Sequence, residues 1–302
     1  MIKSLTVQNT AGDTLVLELT NPERSGFVVR SITGLGPVSA SISTNDISSG
    51  DGSVYSSSRL SSRRIEIELQ YLDNLMSIES ARQYLYSYFE PKKVVTLTIE
   101  TDNRLLQTHG IVESDESTIF SEAETASIAI FCPDPYLYSP FTDVLKFFSV
   151  DDKFEFPFEN NNLRDNLIEF GEIDTSTSSN FYYAGESNTG CVVSIFLYGP
   201  VKNIKIYELI NNITVSIDTS YITKVLGSAL KYGDRIIISS VQGDKKCEVI
   251  RDRVHYNVLN SLGRNTKWIT LSSGDNFFQY EAESGSENMK ISIEVNTRFI
   301  GI

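Results

Sequence analysis

The stretch Ile130-Phe131-Cys132-Pro133-Asp134-Pro135 puts a thiol two residues from a carboxylate, which raises the question of a reactive cysteine. The local pattern answers against it. Cys132 continues the alternation of Ile128 and Ile130, so it is expected to point into a core as a small apolar group. Pro133 and Pro135 lack the N–H that a strand ladder needs and stop further pairing. Tyr136 and Tyr138 are expected to pack the exit from a folded unit with rings buried and hydroxyls wet. The stretch reads as a domain boundary.

The remaining candidates for chemistry are few. The chain has two histidines, His109 in a Gln-Thr-His-Gly turn context and His255 in or beside a strand. Neither has a metal-ligand or nucleophile partner at a recognisable spacing. No His-Glu-x-x-His, paired Cys-x-x-Cys or Gly-x-Ser-x-Gly segment occurs, which leaves no basis for zinc or for a serine hydrolase. Gly34-Leu35-Gly36-Pro37 lacks the third glycine and the helix of a dinucleotide loop. Asp46 and Asp51 lack the further ligands of a calcium loop. Glu66 and Glu68 share one strand face, and glycoside hydrolysis needs two carboxylates facing each other across a cleft. Trp268 could stack a sugar ring, or serve as a core or rim aromatic. No catalytic residue, metal or cofactor is expected.

The elements around these residues are overwhelmingly β. The 302 residues are 40% apolar and 22% charged, rich in Phe, Tyr and β-branched side chains, a folded profile that favours strands. Period-two alternation runs through Leu15–Leu19, Ile65–Tyr71, Val95–Ile99, Ile128–Cys132, Val193–Leu197, Ile213–Ile217, Ile236–Ile238, Ile269–Leu271 and Ile291–Val295. One segment, 77–89, instead spaces Ile78, Ala81, Leu85 and Phe89 as a helix, capped by Asp73 or Ser77 and ended by Pro91. Phe154, Phe156 and Phe158 around Pro157 suggest a short edge strand in an otherwise aperiodic linker region, 141–190.

Residues 37–64 differ from the rest. They are dense in serine and poor in apolar side chains, too little to build a core. Two readings stand: a flexible surface loop, or a long arm that gains order by pairing with a neighbouring copy. Gly50-Asp51-Gly52 suits the tip of an extended hairpin. Arg59, Arg63 and Arg64 form a basic cluster at its base that could meet carboxylates on another subunit.

Charge and segments exclude several classes. The net charge is −13 and both halves are acidic, which repels nucleic-acid backbone and anionic membranes. No signal peptide and no bilayer-length apolar run is visible. Three widely spaced cysteines fit synthesis in a reducing cytosol.

Several stretches together resemble the distal tail (Dit) family of tailed phages. These are SITGLGP, then DGSVYSSSRLSSRRIEIEL, the helix, EPKKVVTLTIETDNRLLQTHGIVES and CPDPYLYS. In the second half they are NTGCVVSIFLYGPVKNIKIY, GDRIIISSVQGDKKCEVI, WITLSSGDNFFQYEA and the terminal FIGI. The resemblance covers nearly the whole chain. It implies a mainly β protein. Residues 1–138 would form a β-barrel-like ring domain with one helix and a hairpin arm at 36–64. Residues 139–302 would be a linker and a galectin-like β-sandwich, with the last residues, Arg298 to Ile302, either staying there or returning to the first domain. It further implies a hexameric ring at the distal end of the virion tail, made in the host cytoplasm. Arm residues Gly36, Ile42, Asp51, Tyr55, Arg59, Arg63 and Arg64 would make the inter-subunit contacts. The implied partners are other copies of the chain, the tail tube protein, the tail hub or tail-associated lysin, the tape measure protein, and receptor-binding or baseplate proteins. DNA would pass through the ring without specific binding, and no membrane insertion is expected. A phage-tail-like bacteriocin would use the same part, and a lectin acting at the host surface through Trp268 is the alternative role.

Overall fold

The computed structural model describes residues 1–47, 50–121, 123–152 and 171–302. The expected edge strand around Phe154, Phe156 and Phe158 lies outside them. The protein is mainly β and divides into two compact units: Met1–Pro140 together with Arg298–Ile302, and Phe141–Thr297. The chain leaves the first unit within strand Leu137–Lys146 and re-enters it within strand Met289–Phe299.

The first unit is built on seven antiparallel strands in the order Thr14–Glu18, Ile2–Gln8, Val94–Thr101, Leu105–Ser117, Thr125–Cys132, Arg63–Tyr71 and Phe27–Thr33. Every strand contributes to one apolar cluster, including Leu5, Leu17, Phe27, Ile67, Leu97, Leu106 and Ile130. That is the arrangement of a sheet curled on itself in a barrel-like way. Strand Arg63–Tyr71 shows how alternation produces it. Ile65, Ile67, Leu69 and Tyr71 are buried while Arg64, Glu66 and Glu68 face solvent.

Helix Ile78–Tyr88 lies against this core through Ala81, Leu85 and Tyr88. Of the two expected caps it uses Ser77, whose hydroxyl accepts from the Ser80 N–H at 3.3 Å. Near the helix the sheet buries a carboxylate. Neither oxygen of Asp115 has a hydrogen-bond partner, and burial pushes its carboxyl up to about 6.

The second unit is a sandwich. One sheet orders Ser178–Tyr183, Gly274–Ser284, Lys202–Glu208 and Ile213–Ile217. The other orders Val254–Asn257, Lys246–Arg251, Arg235–Ser239, Val192–Leu197 and Met289–Phe299. Their inner faces meet in a single cluster, with Ile195, Ile238, Val249 and Ile293 from one sheet and Ile206, Val215, Phe278 and Tyr280 from the other.

Two expectations need correction here. A second helix, Thr219–Leu226, was not anticipated. It starts on Asp218, which accepts from the Ser220 N–H at 2.8 Å, and stops on Gly227 at φ +71°. Eight residues make only about two turns, too few for a helical period to stand out from the strand alternation before it. Ile269 and Leu271 are buried but form no strand. Leu271 joins Thr189 in an isolated bridge, and alternation over three residues reports burial alone.

The folded pKa of Asp115 is raised, so its ionised form costs stability. The penalty is absent below pH ~4, grows as pH rises, and is complete above about pH 6. Asp115→Asn should therefore raise unfolding stability by about 2–3 kcal/mol at pH 7.5 and by little at pH 4. Urea unfolding of both proteins at the two pH values checks this, and equal gains at both would contradict it.

Candidate assembly site: the arm and its root

Strands Ala40–Asp46 and Ser53–Leu60 form a two-stranded ribbon, paired among the described residues only to each other. Every described residue in both strands is exposed. The tip turns through Gly52 at φ +97°, a conformation in which glycine is favoured. Asp51 lies at that tip, exposed.

The ribbon is not uniform on its two faces. Ala40 pairs with Leu60 and Ile42 with Ser58, but beyond Ser43 the register shifts so that Thr44 faces Tyr55. This bulge changes which way Tyr55 points. Residues 55 and 58 would lie on opposite faces of a regular strand. Here the Tyr55 hydroxyl meets the Ser58 hydroxyl at 2.8 Å, so they share a face. Ile42 (64% exposed), Tyr55 (61% exposed) and Leu60 are thereby gathered on one side. Ser41, Ser43, Ser57 and the exposed Arg59 take the other.

The ribbon is anchored by Arg63. The sequence groups it with Arg59 and Arg64 as an accessible charge for another subunit. The structure instead buries it completely, and all its contacts are within its own unit. Its Nη1 donates to the carbonyls of Gly34 and of Gly36, the latter at 2.8 Å. Its Nη2 donates to Pro135 O and Ile300 O, each at 2.7 Å, and Nε to Pro135 O at 3.0 Å. Strand alternation is the cause: Arg63 shares the inward phase of Ile65 and Ile67. Burial pulls its pKa down, opposed by Cys132 and Asp134, and the guanidinium remains charged. Arg64, on the outward phase, pairs in its own chain with Glu113 at 2.9 Å and Glu66 at 3.0 Å.

Three segments close around this guanidinium. Gly34 (φ +81°) runs so close to strand Arg63–Tyr71 that a Cβ would come within 1.9 Å of Arg64 O. Gly36 lies against Gly301, and the Ile302 N–H donates to Leu35 O at 3.2 Å. The Arg298 guanidinium covers the rings of Tyr136 and Tyr138 at 5.1 and 5.5 Å. The Tyr138 hydroxyl bonds Asp134 and is not left to water, and burial raises its pKa. Strand structure resumes at Leu137, so the two prolines interrupt pairing for four residues only. Asp134 is thus a structural acceptor. Its Oδ1 also takes the Tyr136 N–H at 3.0 Å.

The other candidate groups are placed as follows. Cys132, Cys191 and Cys247 are free and buried, and burial raises all three thiols, Cys191 to about 12 and Cys247 to about 11. None is a nucleophile at neutral pH. His109 lies within strand Leu105–Ser117 rather than a turn, bonded to Thr96 Oγ1 at 2.9 Å. His255, in strand Val254–Asn257, meets Glu248 at 3.1 Å. Trp268 is half-buried against the sandwich core with the Lys245 ammonium 5.5 Å from its ring centre. Sequence reasoning missed Phe120, 99% exposed with φ +64° on the turn after strand Leu105–Ser117. Among the described residues no three His, Cys, Asp or Glu side chains come together as a metal site, and no helix is long and apolar enough to cross a membrane.

The site is an exposed ribbon rooted in a barrel-like unit. A model of the phage tail protein RIFT-related domain matches residues 18–170, half of the chain and the part that carries the arm. The chain belongs to that family of phage tail proteins. No curated protein sequence matches it. Among solved structures, the Dit protein (gp 19.1) of phage SPP1 superposes with a TM-score of 0.65 at 12% identity, over 97% of this chain and 98% of that one. The two share a fold across both units. The activated baseplate of phage P2 with Ca aligns at a TM-score of 0.46 and 14% identity, over 97% and 98% of the two chains.

Arg63→Met keeps the volume but leaves four carbonyls without their donor. It should cost the first unit about 3–5 kcal/mol. Two-transition urea unfolding should show the loss in one transition and leave the sandwich unchanged. A cost below about 1 kcal/mol would mean that water replaces the guanidinium.

Proposed function

We propose that this phage tail protein is the distal tail component of a siphophage baseplate, closing into a hexameric ring in which each arm clasps the next copy. The carrying observation is the ribbon itself. A two-stranded hairpin without a core is marginal alone in water. This one presents two open strand edges and a collected apolar face. Burying a large apolar side chain is worth about 1.5–3 kcal/mol, so Ile42, Tyr55 and Leu60 on a neighbour would supply what the hairpin lacks. The same patch meeting a different patch, copy after copy, closes into a ring when the rotation allows.

In this reading Gly36, Ile42, Asp51, Tyr55 and Arg59 contact the neighbour, while Arg63 holds the root and Arg64 flanks it. The ring joins the tail tube to the adsorption apparatus. Its partners are the tube protein, the tail hub or tail-associated lysin, the tape measure protein, and receptor-binding or baseplate proteins. It sits at the distal end of the virion tail, and the role is structural, with no catalysis. The sandwich unit is of galectin-like type. The acidic balance of the chain suits a conduit that lets DNA pass without gripping it.

Replacing residues 40–60 by a short Gly-Ser linker should leave folded monomers where the intact chain gives six-fold mass by light scattering. The pair Ile42→Ser and Tyr55→Ser should weaken assembly in the same direction with the ribbon kept. Hexamers formed by the deletion variant would remove the arm from the interface.

A further inference from the structure

The sandwich unit holds a cavity of about 750 Å³ that the assembly reading does not use. Ordinary small-ligand pockets run to roughly 300–1,000 Å³. It lies where helix Thr219–Leu226 begins, beside the start of strand Lys202–Glu208 and the turn Ser284–Asn288. We propose that this pocket is a saccharide-binding site, with Asp218, Ser284 and Asn288 recognising sugar hydroxyls.

The pocket is built by close backbone approaches that allow little rearrangement. A Cβ on Gly285, at φ +81°, would meet Pro200 O at 2.2 Å. The Asn288 Nδ2 donates to that same carbonyl at 3.1 Å. Asn203 adopts φ +47°, and its N–H donates to Thr219 Oγ1 at 3.2 Å. The positive-φ backbone at Asn203 is tolerated because the surrounding contacts over-determine it, a common property of binding clefts.

The lining chemistry selects the ligand. Pro200, Val201 and Leu230 supply an apolar floor. Above it, the Ser284 hydroxyl and the Asn288 Oδ1 have no hydrogen-bond partner among the described residues. Hydrogen bonds from Ser220 hold the Asp218 carboxyl below its usual range, so it stays an ionised acceptor. Lys202 is neutralised by Glu283, and Lys224 lies near Asp218. A hydrocarbon would leave these polar groups desolvated and unpaired, at a cost. Asp218 and Glu287 oppose an anion. A neutral polyhydroxylated ring, with an apolar C–H face and a rim of hydroxyls, satisfies both halves of the lining. Two residues past Leu230, the ring of Tyr232 is 71% exposed, edge-on to Tyr198 at 5.9 Å.

The site is independent of the ring reading and different from Trp268. Saturation-transfer NMR and calorimetry on the full chain would use glucose, galactose, rhamnose and N-acetylglucosamine as probes. At least one should bind. Asp218→Asn, which can still cap the helix, and Ser284→Ala should each weaken it by about tenfold, with unchanged melting. Trp268→Phe should leave binding as it was. Absence of binding by all four sugars, survival of full affinity in both pocket variants, or loss of binding in Trp268→Phe would overturn the proposal.

Discussion

One buried guanidinium holds the first unit together where its chain segments would otherwise part. Arg63 reaches Gly34 and Gly36 at the start of the arm, Pro135 at the exit toward the sandwich, and Ile300 at the returning terminus. These positions are hundreds of residues apart in part, and none sits in a regular ladder with the others. A planar fork with five donors can serve four carbonyls at once, where an ammonium has three donors and an amide two. The cost of burying the charge is met by these acceptors and by the nearby carboxylate of Asp134.

This constraint separates rigidity from reach. Both ends of the ribbon emerge from a fixed point, with Ser61 N–H on Ser39 O at 3.0 Å, while every described strand residue beyond stands in water. The ribbon has no core to set its geometry, so local devices do so: the positive φ of Gly52 at the tip and the single bulge that turns Tyr55 toward Ile42 and Leu60. Serine elsewhere keeps the exposed ladder polar. The sandwich obeys a different economy. Its core is complete within itself, so its exposed features are available for ligands, and its pocket arises from two tight turns pressed against the start of a short helix.

The sequence by itself determined many of the core strands, because alternation is a local consequence of burying one face. It determined the helix Ile78–Tyr88 and the inward direction of Cys132, while it left the cap between Asp73 and Ser77 and the serine-rich segment between a surface loop and a hairpin arm. What only the tertiary structure decided depends on distant segments. Arg63 looked like a surface charge because arginine usually is one, although its own phase with Ile65 and Ile67 placed it inside. The return of Arg298–Ile302 to the first unit could not be read from local pattern, since it rests on carbonyls and rings supplied by residues far earlier in the chain. The face of Tyr55 turned on a bulge that no residue type announces. The pocket at Asp218 depends on Gly285 lying against the Pro200 backbone and on Asn203 bonding Thr219, segments distant in sequence. Periodicity records how each segment meets a core; which segments meet one another is set by packing across the whole unit.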